Sequence, residues 1–336
     1  MSRAVVSPAP TGSAPVVTGL GVIAPSGLGV DEFWPAVRDG HLALAPLERF
    51  EPNPYPVTVA GEVTGFGPDG WVEPRITVQT DRFTHFALAA ADLALRDAEL
   101  DPAAVEPFEF GVMTASYSGG VEFGQREIER LWRHGPEHVG PYQSIAWFYA
   151  ACSGQISIGN GLRGPSGVLV ADEAGGLDVL AAAGGELRRG ARAMLVGGAE
   201  APFCPYAMCC QLGLGLLSTS GDPATAYQPF TERADGFAPA EGGAMLVVEH
   251  ADAAHRRGAA VKAMVAGHCA TYTGRRRFDR SAQGLLRAAA GALAEAGLTP
   301  TTWTRCSSTR WPTRVPTPPK PRRCACCWAS ARAECR

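Results

Sequence analysis

One stretch of the chain has residue types and spacing that could do chemistry: residues 166–180, SGVLVADEAGGLDVL. The apolar run Val168, Leu169 and Val170 reads as a buried strand. It stops at Ala171, Asp172 and Glu173, and Gly175 and Gly176 follow. A helix-like run then extends over residues 177–189. A strand driven through a sharp turn into a helix is an elbow. Elbows of this kind usually present a nucleophile, beside the N–H groups that open the helix. Here the tip residue is a carboxylate, Glu173. The positive end of the helix dipole holds such a group ionised unless burial raises its pKa.

The elements around this elbow must position it. Residues 15–18 read as a strand running into Gly19, Leu20, Gly21, Val22, Ile23 and Ala24. That run matches Gly-x-Gly-x-x-Ala, a dinucleotide-binding pattern. Pro25, Ser26 and Gly27 follow where the pattern needs a continuing helix, and no acidic residue closes a second strand about 20 residues on. The run therefore reads as a glycine-rich strand–loop turn. Residues 31–40 form a short helix ending at a glycine, and residues 41–79 are irregular and rich in proline. Thr80 and Asp81 offer caps for a helix to about residue 100, with Phe83, Ala87, Ala90 and Ala94 on one face. Residues 110–115 are a strand, residues 116–120 a polar turn, and residues 122–133 an amphipathic helix.

Residues 142–163 are apolar enough to be core or a subunit contact. Residues 193–196 and 244–249 read as strands, 203–220 as loop and helix, and 261–267 as a further strand. An alanine-rich helix capped by Ser281 closes the regular part over residues 281–298. Strands alternating with helices place the chain in the α/β class.

The 336 residues are 46% hydrophobic and 19% charged, the balance of a globular protein. No apolar run approaches the ~18 residues of a membrane span, and no secretory signal opens the chain. The expected location is cytoplasmic. The net charge is −3, but eight basic residues and one acidic residue, Glu334, fall in residues 301–336. The other 300 residues carry 22 basic against 32 acidic groups, which gives no reason to expect nucleic-acid binding. Five of the ten cysteines also lie in that tail. Cys324, Cys326 and Cys327 have the wrong spacing for zinc, and no histidine lies beyond His268, so no metal site is expected. The remaining cysteines suit reduced thiols, and Cys152 reads as a core thiol.

Residues 1–13 form a loose polar leader. After Pro300 the hydrophobic pattern collapses into Thr, Arg, Pro, Cys, Trp and Ser. That is what a GC-rich gene yields out of frame. A one-base shift lets the codons of residues 302–316 encode a strand and a turn. We read a frameshift near residue 301, with residues 301–336 an aberrant basic tail.

Four motifs in order give a resemblance covering about residues 14–300. They are VVTGLGVIAPSG at 16–27, GPSGVLVADEAGGLD at 164–178, VGGAEAP at 196–202 and PFTERADGFAPAEGGAMLVVE at 229–249. Together they resemble the β-ketoacyl synthases of the thiolase fold. EFGQREIERLWRHGP at 122–136 and SIAWFYAACSGQISI at 144–158 are similar to the chain length factors of aromatic, type II polyketide synthases. The resemblance implies a layered α/β/α/β/α fold. It divides the chain into an N-terminal half over 14–250 and the start of a C-terminal half over 251–300, incomplete or out of frame beyond.

The resemblance also implies a function. Catalytic ketosynthases carry Cys at the elbow, and chain length factors typically carry Gln. Glu173 stands at that position and departs from both. Claisen condensation through an enzyme-bound thioester needs a thiolate, which a carboxylate does not replace. The family's two late histidines and lysine would fall after residue 300. The expected role is a non-condensing subunit of the acyltransferase class. It would pair with a Cys-bearing ketosynthase and take its malonyl-derived chain from an acyl carrier protein, with no cofactor of its own beyond that carrier's phosphopantetheine. In the family the subunits pair through the strand leading into the elbow, here Val168, Leu169 and Val170. A tunnel for the polyketide then passes near Thr114 and Val121. Two other readings stay open: an independent malonyl decarboxylase or acyltransferase using Glu173, and a non-functional remnant.

Overall fold

The structure is a computed structural model that describes residues 14–229, 231–272 and 283–299. The leader expected at 1–13, the aberrant tail and frameshift expected at 301–336, and the Ser281 cap lie outside these residues.

Strand β1 (Pro15–Ala24) runs six residues further than the strand expected at 15–18. Its two central glycines explain the extension. A Cβ at Gly19 or Gly21 would overlap the carbonyl oxygens of Ala94 and Ala90. The Gly-x-Gly pair thus lets a strand lie against a helix, and no nucleotide is needed to account for it. A two-residue β2 (Gly27–Leu28) turns back on β1, and helix α1 (Val30–Arg38) follows. Residues 41–79 hold only the small pair β3 (Ala45–Pro46) and β4 (Val59–Ala60) and the short helix α2 (Pro74–Thr77).

Helix α3 (Arg82–Asp97) starts where the sequence signals it. The Asp81 carboxylate accepts from Phe83 N at 3.3 Å, satisfying one of the open N–H groups of the first turn. Strand β5 (Phe110–Ala115) has the expected bounds. Helices α4 (Val121–His134), α5 (Gln143–Ala146) and α6 (Ala151–Asn160) lead to β6 (Ser166–Leu169). Then come α7 (Gly175–Arg188), β7 (Ala193–Glu200), α8 (Pro205–Leu212), β8 (Gly242–His250) and α9 (Ala251–Arg256). The further strand expected at 261–267 shortens to β9 (Ala263–Met264), and α10 (Gln283–Glu295) follows.

The main sheet has the order β2-β1-β8-β7-β5-β6, with β9 also on β1. β5, β6 and β7 run parallel, whereas β8 is antiparallel to both β7 and β1. β6 is the terminal strand, and among the described residues nothing pairs its outer edge.

Two apolar layers sandwich the sheet. On one face Phe83, Phe86 and Ala90 of α3 and Ile156 of α6 meet Phe110 and Val112 of β5. On the other face Val179, Ala183 and Leu187 of α7 pack on Met194 and Val196 of β7. Phe86 is fully buried, and its truncation to alanine would cost about 3–5 kcal/mol. Helix, sheet and helix make three layers. Among the described residues no helix is long and apolar enough to cross a membrane.

Candidate functional site

β6 ends at Leu169, so Val170 lies just past the strand rather than within it. The chain then makes a 3-10 turn over Asp172–Ala174 and enters α7 at Gly175. This is the expected elbow. Asp172 takes a left-handed φ of 50°, a conformation that costs a non-glycine residue free energy and marks a tightly constrained turn. Gly175 has no Cβ for a reason: one would stand 2.8 Å from the Cβ of Ala115. The first turn of α7 can therefore press against the end of β5. Glu173 sits at the exposed tip of the turn.

Beside the elbow lies a pocket of about 320 Å³. Ala115, Ser116 and Tyr117 line it from the end of β5, Gly198 and Glu200 from the end of β7, and Glu241 to Gly243 from the start of β8. Ala171, Asp172 and Gly176 supply the elbow side. It lies at the carboxyl ends of parallel strands, the usual place for a ligand in an α/β sheet. The elbow residue on its wall is Asp172, whereas Glu173 is not among the lining residues.

The lining is acidic. It holds Asp172, Glu200 and Glu241 and no Lys, Arg or His. Glu241 is 4% exposed and forms a buried ion pair with Arg82, whose Nε and Nη2 each donate to it at 3.0 Å. Val63 N adds a third donor at 3.0 Å. Arg82 also lies 4.6 Å over the Phe86 ring and donates to Val63 O at 2.9 Å, so its charge is spent on the scaffold. Glu200 accepts from Tyr117 N at 2.5 Å, from Ser118 N at 3.3 Å and from the Ser118 hydroxyl. Burial still pushes its carboxyl above the usual range. Sequence reasoning singled out none of these three acids as site residues. The signals were there, since Glu200 and Glu241 lie in the motifs VGGAEAP and PAEGG.

The model of the beta-ketoacyl synthase N-terminal domain matches residues 14–254. The chain belongs to the beta-ketoacyl synthase family. A Streptomyces cyaneus protein named for a polyketide beta-ketoacyl synthase 2 is 57% identical over 287 residues, covering 84% of this chain and 68% of that one. The tetracenomycin polyketide synthase ketoacyl synthase beta subunit of Streptomyces glaucescens is 48% identical over 296 residues, covering 88% and 71%. Among solved structures, a type II PKS acyl-carrier protein in complex with its ketosynthase bound to the hexaketide matches with a TM-score of 0.76. It is 27% identical and covers 87% of this chain and 72% of that one. The fold is accordingly thiolase-like.

A beta-ketoacyl synthase that condenses needs a reactive thiol, and the elbow residues 171–176 include none. Cys152 is 1% exposed within α6, its thiol directed at Phe83 O, and burial pushes its pKa far up. It is a core thiol. Thr114 is 1% exposed on β5, and its hydroxyl has no hydrogen-bond partner among the described residues. Val121 is the half-buried first residue of α4. Neither lines the pocket, but they flank the 116–120 turn that does. Val168 and Leu169 lie on the outermost strand, and Val170 is 57% exposed beyond it. Among the described residues no group of three or more His, Cys, Asp or Glu could hold a metal ion.

Proposed function

We propose that the chain is the non-condensing subunit of a type II polyketide synthase, paired with a Cys-bearing ketosynthase and setting the length of the poly-β-ketone chain. One observation carries the reading: the elbow of a beta-ketoacyl synthase fold bears Asp172 and Glu173 where an acyl-accepting thiol is required. A carboxylate does not form the thioester through which a condensing ketosynthase loads its chain. The substrate arrives as a thioester on the phosphopantetheine of an acyl carrier protein and is condensed on the partner's cysteine.

The edge of β6, unpaired among the described residues, supports the pairing. The helices that pack on β6 and the residue just past it also expose large apolar side chains: Ile158 of α6, Leu177 at the start of α7 and Val170. The relatives named above are polyketide synthase subunits, which supports the same assignment.

The pocket's charge weighs against an independent malonyl decarboxylase. Malonyl carries a carboxylate that such a site must bind. No Lys, Arg or His lines this pocket among the described residues, so it offers that carboxylate no cationic partner.

The test is reconstitution of the chain with a ketosynthase and an acyl carrier protein. Alone, the chain is expected to release neither polyketide nor carbon dioxide from a malonyl-loaded carrier. With the partner, polyketide of defined length forms, and Glu173→Ala leaves condensation in place. Decarboxylation by the chain alone that Glu173→Ala abolishes would overturn the reading.

A further inference from the structure

The strongest unexplained group near the pocket is Glu200. It is a half-buried carboxylate on the pocket wall, and no ion pair to it is found among the described residues. Its charge is met by the turn after β5. Tyr117 N and Ser118 N are successive backbone donors, the arrangement that makes an anion-binding nest, and the Ser118 hydroxyl adds a third donor. The chain's own carboxylate fills that nest.

The same turn is fastened on its other side. Gly119 N donates to Ser116 Oγ at 3.1 Å, and Gly120 N donates to Trp147 O at 3.1 Å. Gly119 has a φ of 60°, and a Cβ at Gly120 would overlap Ala146 O. The turn is thus clamped between the end of β7 and the end of α5. It joins Thr114, which carries the orphaned buried hydroxyl, to Val121 at the start of α4.

We propose that Glu200 is a positioning residue. Its carboxylate acts as a built-in anion that holds the 116–120 turn in place as the pocket wall, and so sharpens the length at which chain growth stops. The length effect rests on the reading of this subunit as the one that sets chain length. The hold on the turn does not.

Two variants separate the roles of shape and charge. Glutamine can accept from Tyr117 N with Oε1 and donate to the Ser118 hydroxyl with Nε2, losing only the 3.3 Å contact to Ser118 N. Alanine empties the nest and leaves space for a small carboxylate from solution.

The experiment uses the assembled pair of this chain and its ketosynthase with acyl carrier protein. It compares the unmodified chain, Glu200→Gln, and Glu200→Ala with and without added formate. Product lengths are read by mass spectrometry, and the exchange of the 117 and 118 amides by hydrogen–deuterium exchange. For Glu200→Ala, the lengths are expected to broaden and the two amides to exchange about tenfold faster or more. Glu200→Gln stays near the unmodified pattern, and formate restores the alanine variant. Should Glu200→Ala fail to assemble, Ser118→Ala, which removes only the hydroxyl donor, is expected to give a smaller shift of the same kind. Unchanged exchange in Glu200→Ala or in that substitute would overturn the positioning role. Faster exchange with unchanged lengths would overturn the length effect. An unmodified pair that gives no defined length would instead count against the functional reading.

Discussion

Replacing Asp81 with asparagine is expected to flatten the pH dependence of stability between pH 3.8 and about pH 6. Asp81 is 1% exposed and serves two helices at once. Its Oδ1 accepts from Phe83 N of α3 at 3.3 Å, and its Oδ2 accepts from Phe123 N of α4 at 2.7 Å. Burial nevertheless dominates and raises its carboxyl from 3.8 to about 6, with Glu122 adding a like charge. A gap of roughly two pH units corresponds to about 3 kcal/mol. Below pH 3.8 the folded and unfolded chains both hold the proton, and the favourable contribution is complete. As the pH rises, the unfolded chain ionises first and the contribution is lost, fully so above about pH 6. Asparagine does not ionise and still offers one oxygen as a cap. The assay is urea unfolding of both proteins across this range. The difference in unfolding free energy between them cancels every other titrating group. It is expected to change by about 3 kcal/mol in favour of the variant as the pH rises. Parallel curves for the two proteins would refute the assignment of a raised carboxyl to Asp81.

Three further outcomes are expected. Glu249 is 4% exposed and accepts from Arg257 Nη2 and from the Thr18 hydroxyl, each at 2.6 Å, so Arg257→Met strands a buried charge. The cost is about 3–5 kcal/mol, read as a lowered urea midpoint, and Glu249→Leu in the same chain recovers much of it. Val121→Phe adds bulk beside the 116–120 turn, and the reconstituted pair is expected to make shorter polyketides, checked by mass spectrometry. Val170→Asp puts a charge at the open edge of the sheet and is expected to weaken pairing with the ketosynthase at least about tenfold, measured by analytical ultracentrifugation.

The elements with a strong local signal were legible in the sequence. β5 falls on 110–115 because its apolar run ends in a polar turn, and α3 starts after Asp81 because that carboxylate caps it. β1 was read too short because glycines weaken a strand pattern. Gly19 and Gly21 are there for the approach of α3, a contact made with residues more than 60 positions away. β9 was read too long because its contact with β1 is short: Ala263 and Met264 pair in register, Lys262 N and Val265 N donate to Val17 O and Pro15 O, and the ladder ends there. The elbow was legible as strand, turn and helix. The acidic pocket was not, since Asp172, Glu200 and Glu241 meet only when β5, β7 and β8 line up their ends. Local periodicity carries no record of that meeting.

The open edge of β6 poses a problem of identity. Backbone N–H and C=O groups look the same on every strand, so hydrogen bonding along this edge would accept a second copy of the chain as readily as a foreign subunit. Discrimination must come from the side chains that stand beside the edge, such as Ile158, Val170 and Leu177. If the subunits pair along this edge as proposed, those few positions separate a mixed pair from a mispaired one. They are therefore where subunits from different assembly lines would have to be matched before they could be exchanged.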